Sequence, residues 1–483
     1  MQRKFLANLS FLLLLNLIIK PVWIFGIDLS VQNTVGAEAY GFYFNLFNFS
    51  FLFNILFDFG ITNFNNRNIA QNNQLLNKHF SSILILKVLL GVIYFIVTFL
   101  MAFIWGYKGE ELQMLLFLGI NQFLISFILY LRSNVSALLL FRTDSILSVL
   151  DRIVMIAITS VLLWGGVTNT PFRIEWFVYS QTIAYTLTFM VAFIVVIKKS
   201  SFRRLNWNLP FFLVILKQSL PFAILVLLMA FYNKIDTVMI VRLIEGPAGK
   251  IQSGIYAHSY RLLDAATSLA FLFSLMLLPL FATLIKSKGR IENMVKLSFS
   301  ILFVLSVIVT AVSFTYSYQI IDLLYDHYII ESAKLFPILM ASFIAISTTY
   351  VFGTLLTANG NLRQLNYMAA AGMLFNVVIN LILIPKYGAY GSAWASLATQ
   401  SVMAILQIVL SVLYFDIKIQ YKFLLKLVLF VAGVFGLGTV MKFIPISWLF
   451  SVGVMIISSI SLAIALRLLN LGNLLEIIKG RTN

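Results

Sequence analysis

Residues Lys217–Ala266 read KQSLPFAILVLLMAFYNKIDTVMIVRLIEGPAGKIQSGIYAHSYRLLDAA. Both ends of this stretch lie inside long apolar runs, yet it carries Lys234, Asp236, Arg261 and Asp264. A charge at bilayer depth costs about 2.5–3.5 kcal/mol on insertion scales, so such residues face a bundle interior or a water-filled cavity. Two pairs of opposite sign on consecutive helices therefore predict a polar chamber inside a membrane protein.

Composition supports the membrane setting. Of 483 residues, 61% are hydrophobic and only 11% charged, and the mean hydropathy is +0.97. Apolar runs of about 20 residues recur along the chain, as bilayer-crossing helices require. Barrel strands would instead alternate over roughly ten residues. Fourteen spans are predicted, near 5–26, 40–60, 80–105, 112–132, 144–165, 175–197, 210–241, 252–283, 294–315, 335–357, 364–384, 389–414, 422–441 and 447–468. Met1–Lys20 has no small-residue cleavage site and reads as the start of the first span.

The net charge of +17 sits in short loops, where Lys and Arg set orientation; it is not a nucleic-acid footprint. Arg3 and Lys4 precede span 1. Basic residues follow the even spans: Arg67 and Lys78, Arg142, Lys198 to Arg204, Lys286 to Arg290, Lys418 and Lys422, and finally Lys479 and Arg481. The alternate loops mix Lys108, Arg173 and Lys334 with Glu110, Glu111, Glu175, Asp322, Asp326 and Glu331. Both termini are thus expected in the cytoplasm. With no Cys and only His79, His258 and His327, neither disulfides nor a metal centre is expected, and no cofactor.

The basic linker Lys198–Pro210 divides the chain. A faint repeat accompanies the division: Ile27-Asp28 followed by Gly41-Phe42-Tyr43 resembles Ile235-Asp236 followed by Gly254-Ile255-Tyr256. The predicted fold is an all-α polytopic bundle with an N-lobe at 1–199, a C-lobe at 200–415 and two further helices at 416–483, holding the polar chamber inside it. Its candidate lining is Lys20, Lys234, Arg261, Tyr256 and Tyr260, with Asp28, Asp236 and Asp264 as charge partners or ion-coupling groups. Lys20 lies one turn after Asn16 on one face. Asp28 is expected to be the more exposed of the acids, at the outer end of span 1. Arg261 and Asp264 are three apart and can pair. Asp151-Arg152 reads as an interhelical brace, Lys87 and Lys217 as snorkelling lysines, Asn376 and Asn380 as glue between helices, and Pro221 and Pro279 as kink points.

These features resemble polysaccharide and O-antigen flippases of the multidrug/oligosaccharidyl-lipid/polysaccharide exporter superfamily. The resemblance rests on the span-7 string Phe231-Tyr232-Asn233-Lys234-Ile235-Asp236-Thr237-Val238-Met239-Ile240, on Gly254-Ile255-Tyr256 and on Leu278-Pro279-Leu280-Phe281. It rests most on Leu355–Ala395, LLTANGNLRQLNYMAAAGMLFNVVINLILIPKYGAYGSAWA, with its Ala358-Asn359-Gly360 loop and its Pro385, Gly388, Gly391 and Ala393 turn. The first half lacks the corresponding Gly-x-x-Gly-x-Ala turn after span 5. The resemblance implies a two-lobed transporter in the bacterial inner membrane. It implies that the transporter moves an undecaprenyl-diphosphate-linked oligosaccharide between leaflets, with a polysaccharide polymerase and chain-length machinery as partners. Three other readings compete. A drug/cation antiporter of the same fold needs intramembrane acids without matching cations. A lipid II flippase differs only in the sugar. A membrane polymerase, ligase or glycosyltransferase needs a sizeable catalytic outer loop, whereas Ile27–Tyr40 offers only Asp28 and Glu38.

The loop charges place the Lys198–Pro210 linker in the cytoplasm. Single cysteines introduced there into this Cys-free chain should resist a membrane-impermeant maleimide added to intact cells and react in inverted vesicles. Labelling from outside would reverse the assigned orientation.

Overall fold

The computed structural model describes residues 15–16, 18–62, 65, 69, 74–138, 140–167, 170–200, 206–287, 291–418 and 420–469. Arg3, Lys4, Arg67, Arg203, Arg204, Lys288, Arg290, Lys479 and Arg481, and with them both termini, lie outside the described residues, as do the side chains of Lys78 and Pro279. Regular structure among the described residues is helical throughout. A π-helical turn, Val22–Asp28, runs into α1 (Leu29–Leu52), and a 3-10 turn covers Asn54–Phe57. There follow α2 (Leu75–Ile104), α3 (Glu110–Ala137), α4 (Phe141–Trp164), α5 (Ile174–Lys199) and α6 (Leu209–Leu243). The remainder comprises α7 (Pro247–Lys286), α8 (Ile291–Thr315), the short α9 (Ser317–Leu324), α10 (Ile329–Ala358), α11 (Leu362–Phe415), α12 (Tyr421–Phe443) and α13 (Trp448–Ala465).

Ten helices among the described residues are long and apolar enough to cross a membrane. The 54-residue α11 would reach about 81 Å if straight, against a hydrocarbon core of about 30 Å. It is broken at Gly388, whose φ of 58° and ψ of −138° suit a residue without a Cβ. The two arms correspond to the spans expected at 364–384 and 389–414. They are tied across the break by Asn380, which takes a hydrogen bond from Ser392 Oγ (2.8 Å) and gives one to Asn376 Oδ1 (3.1 Å).

The expected outer loop at Ile27–Tyr40 is helical instead. The chain turns within α1 at the single residue Gly36 (φ 77°, ψ 169°). Polar side chains before it bond along the helix, Ser30 and Thr34 to the carbonyls one turn back and Gln32 to Asp28. Asp28 is therefore 3% exposed, contrary to its expected exposure. Tyr40 Oη donates to its carboxylate at 3.0 Å and Gln32 Nε2 at 3.3 Å. Likewise α6 runs on through Pro221.

Contacts group the chain into two compact units, Met1–Gly254 and Ile255–Asn483. In the first, Leu86 and Leu90 of α2, Phe127 and Leu131 of α3 and Val196 of α5 belong to one buried cluster. α6 packs on α1, where Asn48 Nδ2 donates to Thr237 Oγ1 at 2.9 Å and Phe53 meets Phe231 edge-on. In the second, Val307 and Ala311 of α8 pack with Phe430 and Val434 of α12 and Met455 of α13.

The two Gly-x-Tyr strings of the sequence repeat meet at one crossing. A Cβ on Gly41 would overlap the Lys250 carbonyl, and one on Gly254 the Ala37 carbonyl. Ser253 Oγ donates to the Gly41 carbonyl at 3.1 Å, and the Lys250 ammonium lies 4.8 Å from the Phe42 ring centroid. Small residues let helix backbones touch in this way.

Gly41→Ala and Gly254→Ala should each destabilise the protein by about 1–3 kcal/mol, the usual cost of overpacking. A lower melting temperature in detergent reads this out. Gly436→Ala, which enters open space, should melt like the parent. Unchanged melting of both crossing variants would refute the contact.

Candidate functional site

The first span and α4 run side by side in register. Asn16 Nδ2 donates to Ser148 Oγ at 3.3 Å. One turn further along each helix, Lys20 and Arg152 act on each other electrostatically, with Asp151 and Arg132 also in range. The Arg152 guanidinium lies 5.3 Å from the Trp23 ring centroid and 3.6 Å from the Asp151 carboxylate. Arg132, near the end of α3, makes a tighter pair with Asp144 of α4 at 2.8 Å. Lys20 is half-buried and makes no ion pair or hydrogen bond among the described residues.

Lys20, Arg132 and Arg152 thus face two carboxylates, Asp144 and Asp151. The Arg132–Asp144 pair neutralises itself. What remains is two cations, Lys20 and Arg152, with the one carboxylate of Asp151 between them. Like charges held together away from bulk water repel strongly, so the arrangement favours an anion. Arg offers a planar fork and Lys a point charge, the two groups that bind phosphate oxygens.

Beside these cations stands a row of aromatic rings. Trp23 stacks on Phe177 at 5.7 Å, Phe177 meets Tyr43 edge-on at 5.5 Å, and Gln181 Nε2 donates to Tyr43 Oη at 3.1 Å. Lys234 and Asp236 of α6 belong to the same unit. Lys234 is half-buried, its ammonium 5.9 Å from the Phe51 ring centroid, whereas Asp236 is 1% exposed. Being two apart, they point to different faces, as the helical period requires.

The remaining candidates belong to the second unit. Tyr256 and Tyr260 stack at 5.5 Å and are buried. Arg261 and Asp264 are half-buried on the same helix, and Asp264 acts electrostatically on Tyr350. His258 packs on Tyr325 with ring centroids 4.0 Å apart, shares a hydrogen bond with Ser332 Oγ at 3.0 Å and lends its carbonyl to Tyr325 Oη at 2.9 Å. It is a bracing residue. No group of three or more His, Asp or Glu among the described residues is placed to hold a metal ion.

Lys87 does not snorkel. It is 1% exposed, and its three donors reach Asp58 Oδ1 (2.8 Å), Ser126 Oγ (2.9 Å) and the Phe57 carbonyl (3.2 Å). The 3-10 turn before Asp58 brings that carboxylate and a free carbonyl within reach of α2, so the ammonium is satisfied internally. Lys217, by contrast, is exposed.

Two functional candidates were hard to find in the sequence. Arg132 sits at the end of its span and resembles an orientation charge; its twelve-residue separation from Asp144 across a tight turn was the signal. Arg242 ends α6 with its guanidinium 3.9 Å from the Tyr107 ring centroid, and its Nε and one Nη lack hydrogen-bond partners. Burial pushes the Tyr107 phenol, in the turn between α2 and α3, up to about 12. The phenol therefore stays neutral and lies under the cation.

Comparison with known proteins gives a family and a fold. Residues 5–285 match the family described as polysaccharide biosynthesis protein. The chain matches no curated protein sequence. Among solved structures it is similar to the lipid II flippase MurJ in an inward closed conformation, with 15% identity over 94% of this chain and 99% of that one and a TM-score of 0.67. It is also similar to an inward-facing multidrug resistance MATE family transporter of the MOP superfamily (14% identity, 85% and 98% coverage, TM-score 0.60). A third likeness is to a MOP superfamily transporter from Pyrococcus furiosus (14% identity, 85% and 93% coverage, TM-score 0.55). At these identities the likenesses establish the fold.

The Lys87–Asp58 pair is expected to be structural. Lys87→Met alone should cost about 3–5 kcal/mol, because it strands a carboxylate, while the Lys87→Met, Asp58→Asn double variant should recover more than half. A double-mutant cycle on thermal unfolding in detergent measures this, and strictly additive losses would deny the pair.

Proposed function

The chain belongs to the polysaccharide biosynthesis protein family, and on that premise we propose that it is a flippase rather than an enzyme. It carries an undecaprenyl-diphosphate-linked oligosaccharide, such as an O-antigen, capsule or exopolysaccharide repeat unit, across the bacterial inner membrane by alternating access. The observation that supports this reading is Lys20, a half-buried cation that makes no ion pair among the described residues and is held beside Arg152. A diphosphate crossing hydrocarbon must exchange its water for fixed cations. Lys20, Lys234 and Arg261 are assigned to that task, with Arg152 added to them. Tyr256 and Tyr260 are assigned to the sugars, and half-buried Trp23 adds a ring. Asp28, Asp236 and Asp264 hold the cations, or couple an ion, when substrate is absent.

The duplicated transport lobes are taken as 1–199 and 200–415, followed by 416–483, with both termini in the cytoplasm. A cation antiporter fits less well. Its substrate would be repelled by Lys20 and Arg152, and both acids of that cluster already face arginines. Lipid II shares the diphosphate, and the MurJ fold supports it as the second reading. The two readings part on which lipid-linked sugar is flipped in reconstituted vesicles.

Arg261→Ala and Lys20→Ala should each cut surface glycan display at least tenfold while the protein reaches the membrane at its normal level. Arg261→Lys should keep part of the activity, since it retains charge and loses the fork. Full display from Arg261→Ala, or recovery in the Arg261→Ala, Asp264→Ala double variant, would identify a structural brace instead.

A further inference from the structure

A cavity of about 160 Å³ opens in the second unit between α8, α10, α11 and α12. Its walls are hydrocarbon: Val295 and Phe299 of α8, Phe352 of α10, Ile408 and Val412 of α11 and Leu427 of α12. Its rim is not. Lys296, Lys418, Gln420 and Glu292 stand there. Lys296 Nζ donates to Gln420 Oε1 at 2.8 Å and lies 5.0 Å from the Phe423 ring centroid. The Gln420 amide donates in turn to Glu292 Oε1 at 3.3 Å, so the rim carboxylate already has a donor. Lys296 has two donors left, and Lys418 is exposed.

Two features identify the occupant. The apolar surface beside the cavity continues outward: Leu413 is 69% exposed, Val428 65% and Leu425 59%. In a membrane protein this is the face that acyl chains cover, so the cavity is continuous with lipid. The rim brings two lysines, together with Lys422 and Lys426 of the first turns of α12, to the end of the bundle that the loop charges place in the cytoplasm, where anionic headgroups concentrate. An engineered apolar cavity of about 150 Å³ accepts benzene, so this one takes a short unbranched stretch of chain. A polyprenyl chain, with its recurring methyl branches, is bulkier at every depth.

We propose that this crevice binds an anionic glycerophospholipid of the cytoplasmic leaflet. Its phosphate lies on Lys296 and Lys418 and the end of one acyl chain lies among Phe299, Phe352 and Leu427. The site is separate from the residues assigned to substrate, and the proposal stands whichever lipid-linked sugar is carried.

The test is native mass spectrometry of the full-length, delipidated protein titrated with phosphatidylglycerol and with phosphatidylcholine of the same chains. Phosphatidylglycerol should bind at least fivefold more tightly. Lys296→Gln with Lys418→Gln, changes at a solvent-reached rim, should weaken it about 25-fold, at about fivefold per removed charge, and leave phosphatidylcholine unchanged. Val412→Trp, filling the crevice, should weaken both lipids. Equal binding of the two lipids, or phosphatidylglycerol binding untouched by the lysine pair, would overturn the proposal. So would undecaprenyl phosphate displacing phosphatidylglycerol from the parent in a manner that Val412→Trp abolishes, since the crevice would then belong to the carried lipid.

Discussion

Hydrocarbon offers no hydrogen bonds, and the rest of this structure follows from that. Every backbone amide inside a bilayer must find its partner in the chain, which restricts the spans to helices. Every side-chain charge must find its own compensation or be matched by what the protein carries. The chain meets the first demand with long helices broken at single glycines: 54 residues of α11 turn at Gly388 alone. It meets the second locally in most places. Lys87 is enclosed by a carboxylate, a hydroxyl and a carbonyl. Arg132 is matched by Asp144, and Asp28 by Tyr40 and Gln32. Against that background Lys20 stands out. Among the described residues Lys20 has no such set of partners, and its strongest electrostatic neighbour is another cation, Arg152.

That contrast separates structural charges from the candidates for transport. A cation whose donors are all used can only hold helices together. Two cations that share one carboxylate, as Lys20 and Arg152 share Asp151, are stabilised by an incoming anion. The phosphate of a lipid-linked sugar has the right sign and geometry. The rings of Trp23, Phe177 and Tyr43 pack in a row beside these cations, with Phe177 and Tyr43 buried.

The helical class was legible because hydropathy reports directly on burial in lipid, and the break at Gly388 because Pro385, Gly388 and Gly391 mark a turn. Sequence reasoning failed where compensation comes from elsewhere in the fold. Lys87 looked like a snorkelling residue because its partner lies 29 positions away and is reached only through a 3-10 turn. Asp28 looked exposed because the stretch Asp28 to Thr34 resembles a loop, whereas it is helical and the carboxylate is met by Gln32 and by Tyr40 twelve residues on. Arg152 is a different case: it keeps its 3.6 Å pair with Asp151 and also reaches Trp23 of the first span, as an interhelical brace would. Each miss concerns who faces whom, which spacing alone does not encode.

The crossing at Gly41 and Gly254 has a mechanical character of its own. Main chain rests on main chain there: a Cβ at either glycine would meet a carbonyl of the other helix. An interdigitated seam resists twisting because its teeth must disengage, but two smooth surfaces resist only separation. Such a contact resembles a bearing more than a gear: it fixes the distance between α1 and the first turns of α7, with the Ser253 hydroxyl on the Gly41 carbonyl and the Lys250 ammonium over the Phe42 ring as its side-chain ties.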